Sequence, residues 1–222
     1  MSTNEDAAYS EYAKMITKTL EALRSNRMNA EFLAPEKVCA RVEELMFDGA
    51  VIASGGSQTV AQCGLEELFR SGRYRYLDRA AAAPNELPTL YRESFFSDFY
   101  FTSANAITMD GELFNVDGNS NRVAAICYGP KKVIVVAGCN KIVRDIPEAV
   151  ERLRAIAAPM NAKRLSCATP CSQTGECVAR GADDIADGCG CDARICCNYL
   201  ISAQQREAGR ITVLIVGKDM GF

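Results

Sequence analysis

Two apolar runs constrain this chain more than any other feature. Residues 132–138 read KVIVVAG and residues 211–217 read ITVLIVG. Each is far shorter than the roughly 20 apolar residues a membrane-spanning helix needs. Neither shows the strict alternation of a half-exposed strand, and both are rich in β-branched residues. Such runs suit strands buried on both faces, which belong to parallel sheets covered by helices. Between them lie segments of helical period. Tyr12, Met15, Ile16, Thr19, Leu20 and Leu23 predict a helix over 6–26, inside an N-terminal helical segment running to residue 34. Pro35 opens a second helix ending near Asp48-Gly49, and another begins near Thr59 and carries Val60, Leu65, Leu68 and Phe69. Strands are predicted at 50–54, 74–77, 98–102, 123–127, 133–137 and 211–216, and helices at 90–96 and 145–157. Residues 107–118 alternate and carry two turn signals, Asp110-Gly111 and Asp117-Gly118, which predict a hairpin. The alternation implies an α/β protein of three layers with a mostly parallel sheet, folded as a single domain over 1–222.

Composition removes several function classes. The chain of 222 residues contains no His, which excludes a Ser-His-Asp triad, a Cys-His pair and any His-ligated metal. A net charge of -3 lacks the basic excess of a nucleic-acid binder. The polar start MSTNEDAA has no basic and apolar signal pattern, so a reducing cytoplasm is expected, with neither nucleic acid nor membrane as partner.

Three stretches carry chemistry. Ser54-Gly55-Gly56-Ser57-Gln58-Thr59 joins a predicted strand to a predicted helix. Gly55, Gly56, Ser57 and Thr59 could cradle a phosphate or carboxylate on backbone N–H groups and hydroxyls, or form an ordinary turn with a Ser or Thr cap. Residues 102–122 are dense in Asn, Asp, Ser and Gly. Asp117 is read as a proton-transfer group, with Arg122 and Lys141 holding an anion and Asn105, Asn119 and Asn121 orienting it. The bland alternative is that these Asp and Asn side chains cap turns. Lys141 follows a core strand through Gly138, and ligands in such sheets bind at the carboxyl ends of strands.

The third stretch is cysteine-rich. Of 11 Cys, seven fall within 167–197. Without His, ligation there is all-thiolate or thiolate plus carboxylate, which suits zinc or a 4Fe–4S cluster; free thiols or a redox-labile pair are the plain alternatives. Cys39, Cys63, Cys127 and Cys139 read as small buried apolar residues.

These stretches resemble the lactate-utilisation (LUD) domain family. The resemblance is carried by SGGSQT at 54–59, the run 102–143, NAKRL at 161–165, TPC at 169–171, TGEC at 174–177, RIC at 194–196 and the closing ITVLIVGKDMGF. It implies a fold similar to ribose-5-phosphate isomerase and coenzyme A transferases, with an N-terminal helix and a Cys-rich insertion at 166–198. It also implies a role in lactate or related organic-acid use on a small anionic metabolite, beside an iron–sulfur or redox protein partner. Cys171, Cys177 and Cys196 match the family's cysteine pattern, and Cys189 is taken over Cys191 as the fourth member by its gap. The resemblance thus points to these four as holders of a 4Fe–4S cluster or, alternatively, zinc. A non-enzymatic electron-transfer subunit and a sugar-phosphate isomerase-like enzyme are the competing readings.

Overall fold

The computed structural model describes residues 3–222, with side chains described from Tyr12 onward. Six strands form one sheet: β1 (Asn29–Leu33), β2 (Val51–Ser54), β3 (Arg75–Leu77), β4 (Phe99–Thr102), β7 (Lys132–Gly138) and β10 (Ile211–Val216). Their order is β1-β10-β7-β4-β2-β3, and every neighbouring pair is parallel. The two apolar runs lie side by side near its middle, and all six residues of β10 are buried.

Alternation along these strands feeds two cores. Ile211, Val213 and Ile215 pack with Ile16 and Leu23 of helix α1 (Thr3–Ser25). Leu214 and Val216 face the other way, with Val38 and Val42 of α2 (Val38–Leu45), Val60 of α3 (Gln58–Gln62), and Leu65 and Phe69 of α4 (Leu65–Phe69). Helices on both faces of the sheet are the three layers its apolar central strands require. Helix α5 (Leu87–Glu93) follows β3.

A second sheet of four strands stands beside the first. It contains β5 (Ala106–Thr108), β6 (Leu113–Asp117), β8 (Ile142–Val143) and β9 (Asn198–Ser202), in the order β8-β5-β6-β9. β5 and β6 are the expected antiparallel hairpin, turned at Asp110-Gly111. Gly111 has φ 79°, and a Cβ there would strike the backbone of Ala22 and Leu23, so α1 sits directly on the turn. Asn26 Nδ2 fixes the contact by donating to the carbonyls of Asp110 and Gly111 at 2.8 and 3.0 Å.

Several elements differ from the sequence expectation. The segment to residue 34 is not all helical, because 29–33 form β1. Its only partner in the sheet among the described residues is β10, with paired residues 183 positions apart, and that pairing is invisible locally. Residues 123–127 form no strand. They belong to helix α6 (Asn121–Cys127), in whose first turn the N–H groups of Arg122 and Val123 are capped by Asp117. The second Asp-Gly signal therefore starts a helix instead of turning a hairpin. The helix expected to end at 157 continues. α7 (Ile146–Arg152) runs through a π-helical turn at Leu153–Ala157 into α8 (Ala158–Arg164). Of the four cysteines expected to be buried, Cys139 is buried, Cys39 and Cys63 are half-buried, and Cys127 is exposed.

Candidate functional site

The carboxyl ends of four adjacent strands converge on one cavity of about 80 Å³. β2 supplies Gly56, Ser57 and Gln58 just past its end, and β4 supplies Thr102, Ser103 and Asn105. β7 supplies Lys141 through a short 3-10 turn, and the segment after β10 supplies Gly221. Asn161 and Arg164 reach in from α8. Gly138 is needed at the end of β7, since a Cβ there would collide with Asn140 Oδ1 and the backbone of Met220.

Lys141 is the most unusual group in this cavity. It is 3% exposed, and Nζ donates to Thr59 Oγ1 at 3.1 Å and Ser103 Oγ at 3.0 Å. No carboxylate pairs with it among the described residues. Burial above all, then the charges of Arg152 and Arg122, lowers its pKa from 10.5 to about 7. The amine is therefore poised to take up or release a proton near neutrality. Arg152 is itself buried and donates to the carbonyls of Asn140 and Asn105 at 3.2 and 2.5 Å.

Arg122 closes one wall. Its guanidinium donates to Asn115 Oδ1 at 2.6 Å, to the Val116 carbonyl at 2.5 Å and to Asn105 Oδ1 at 3.3 Å. Asn115 is fully buried, and its Nδ2 finds no acceptor among the described residues. Asp117 Oδ2 accepts from the backbone N–H groups of Arg122 and Val123 at 3.0 and 3.3 Å and lies 3.9 Å from Arg122 Nε. Its carboxylate thus starts a helix and steadies Arg122.

The sequence-derived residues divide in the structure. Gly56, Ser57, Asn105, Arg122 and Lys141 line the inner cavity. Asp117, Asn119 and Asn121 line an adjoining outer cleft instead. Thr59 is buried beneath Lys141, and Gly55 leaves room for Arg122. Ser57 acts as a helix cap, accepting from the Val60 N–H at 3.3 Å, which is the plain reading of the Gly-rich loop. Ser103, Asn161, Arg164 and Gly221 were not singled out from the sequence. Ser103 sits inside the polar stretch, and Asn161 and Arg164 sit inside NAKRL, so the signal was present without a role attached.

The cysteine segment forms a separate feature. Cys171, Cys177, Cys189 and Cys196 line one small cavity whose other walls are Ala158, Thr169, Pro170, Val178 and Ile195. Cys167, Cys191 and Cys197 do not line it. Burial first, then the neighbouring Cys196 and Cys171, raises the pKa of the Cys177 thiol. Cys189 Sγ lies 3.3 Å from Cys191 Sγ. Four thiols around an apolar cavity fit the donor chemistry of zinc or an iron–sulfur cluster. Among the described residues, no three Cys, Asp or Glu side chains close around one point as metal ligands do.

The sequence profile of the LUD domain matches residues 16–216. The chain belongs to the LUD domain family. A solved structure of a DUF162 family protein from Deinococcus radiodurans is similar over 93% of this chain and 98% of that one, with a TM-score of 0.53 at 15% identity, a likeness of fold. A weaker likeness, with a TM-score of 0.37 at 19% identity, covers 54% of this LUD domain protein and 42% of eIF2B beta from Chaetomium thermophilum. No curated protein matches the sequence. No helix among the described residues is long and apolar enough to cross a membrane.

Proposed function

We propose that this LUD domain protein binds a small anionic metabolite at Lys141 and serves lactate or related organic-acid utilisation in the cytoplasm. One observation carries the reading. A buried lysine, held among the described residues by two hydroxyls alone, lies at the carboxyl ends of parallel strands and lines a cavity. A carboxylate entering there supplies the partner that Lys141 lacks. Arg122 and Asn105, already bonded to each other, offer a polar wall that needs no rearrangement. Lys141 Nζ is the proton-handling group. Asp117 acts through Arg122 as a positioning residue, its oxygen being engaged with the N–H groups of α6.

Binding an anion favours protonated Lys141, so a proton is taken up with the ligand when the amine starts neutral. Affinity is highest below about pH 7 and falls as pH rises through that value. The test is calorimetric titration with L-lactate and pyruvate in buffers of different ionisation enthalpy. Lys141→Met should weaken binding about 10- to 100-fold and remove the proton uptake. Unchanged binding by that variant sinks the reading.

Cys171, Cys177, Cys189 and Cys196 are the residues that would hold a 4Fe–4S cluster or zinc. A cluster would supply one-electron transfer to a redox partner protein, and zinc would supply a structural clip. Metal and sulfide analysis of anaerobically purified protein separates the two. Protein lacking both metals under those conditions counts against this assignment.

A further inference from the structure

The inner cavity adjoins a wider cleft of about 490 Å³ lined by Arg79, Arg122, Arg164 and Arg194. Gly56, Val116, Arg122, Asn161 and Arg164 line both spaces, so one ligand can occupy both. The outer guanidiniums meet neutral acceptors only, among the described residues. Arg79 lies over the Tyr91 ring, 5.8 Å from its centroid, and donates to its hydroxyl at 3.3 Å. Arg164 donates to Asn161 Oδ1 at 3.1 and 2.8 Å. Arg194 donates to the carbonyls of Cys196 and Ala186 at 2.9 and 2.7 Å and to the Tyr199 hydroxyl at 3.4 Å.

Arg79 fills the space a side chain at position 56 would occupy, so Gly56 is what admits it to the cleft. Burial, and then the charge of Arg79, lowers the pKa of Arg164. Two carboxylates reach the cleft, Asp117 and Asp192, against four guanidiniums. Asp117 is already engaged with α6. A local excess of cations in a chain of net charge -3 calls for a strongly anionic ligand.

We propose that Arg79 and Arg164 form a phosphate subsite, and that the ligand is a phosphorylated organic acid with its carboxylate at Lys141 and its phosphoryl group between these two arginines. The proposal rests on the carboxylate reading of Lys141 and extends it outward. The inner cavity holds a carboxylate and a few atoms, and the rest of the ligand lies in the cleft. A phosphoryl dianion suits two guanidinium forks better than a second carboxylate does, having three peripheral oxygens and the larger charge.

The experiment is calorimetric titration of the full chain with 3-phosphoglycerate, with glycerate and with inorganic phosphate. The expected result is that 3-phosphoglycerate binds about 10- to 100-fold more tightly than glycerate, as two added charge-assisted contacts imply. In an Arg79→Gln, Arg164→Gln double variant, that ratio should fall to about one. Gly56→Ala, which displaces Arg79 without removing a charge, should lower the ratio as well and guards against a folding defect in the double variant. Equal affinities in the unaltered protein overturn the subsite, as does a preference that survives the double variant. Inorganic phosphate that binds the unaltered protein but not the double variant upholds the subsite even where glycerate fails to bind; the carboxylate reading of Lys141 then falls alone.

Discussion

The Lys141 pocket and the cysteine-rich segment are held in opposite ways. The pocket takes its walls from strand ends whose register is fixed, with Thr102 opposite Val135 and Val216 opposite Gly138. Its side chains are placed by the core and need nothing further. Residues 166–197 contain one short helix, α9 (Pro170–Thr174), and otherwise turns. Their main anchor is Arg154, 4% exposed, which donates to the carbonyls of Ala182 and Asp184 at 2.6 and 2.5 Å. Cys197 N–H adds a bond to the Asp117 carbonyl at 3.1 Å. A site built on strand ends inherits its precision, whereas a site built on turns requires a staple of its own. The metal proposed for the four thiols that line one cavity would supply such a staple.

Metal removal should separate the two regions most sharply. If the proposed zinc or cluster is bound, stripping it should abolish hydrogen-exchange protection across 170–197 and leave β7 and β10 protected. Equal protection with and without metal would break the comparison. Next in size, Arg154→Met removes the donor to the part-buried carbonyls of Ala182 and Asp184 and should cost about 2 kcal/mol in denaturant unfolding. The loosening should again fall on the cysteine segment.

Lys141→Met sharpens the other side. The native lysine has a pKa of about 7 and the unfolded one stays near 10.5, so between these values the unfolded chain binds more protons. Stability of the unaltered protein should therefore rise with pH above about 7, and the rise should be missing from the variant. The difference between the two proteins at pH 6 and pH 8.5 reads this directly. The smallest effect is expected from Asp117→Ala, which removes the cap of α6 and should cost about 1 kcal/mol. A loss several times larger would show that Arg122 depends on Asp117 more than its contacts suggest.

What the sequence disclosed follows physical range. β7 and β10 were legible because burial on both faces leaves a continuous apolar run. Lys141 was legible because it follows such a run. Residues 123–127 misled because five apolar residues are too few to tell a period of 2 from one of 3.6. The deciding contact, from Asp117 to the N–H groups of Arg122 and Val123, is a cap and leaves no mark on apolar spacing. β9 escaped notice for the same reason as β1: its partner β6 lies about 85 positions earlier, and its own NYLIS is only half-buried. Arg79 carried no local signal and Arg164 only its place in NAKRL, since their role lies in facing one cleft from β3's loop and α8.

β1 is synthesised well before β10, its one neighbour in the sheet among the described residues. Until residues 211–216 leave the ribosome, β1 has no ladder to join, and β7 presents a bare, largely apolar edge. A nascent chain stalled before that point carries an open template for pairing with other chains. It also lacks the Met220 and Gly221 backbone that meets Thr59 and Gln62 beside the pocket. Binding competence and protection from aggregation therefore arrive together, with the same few residues.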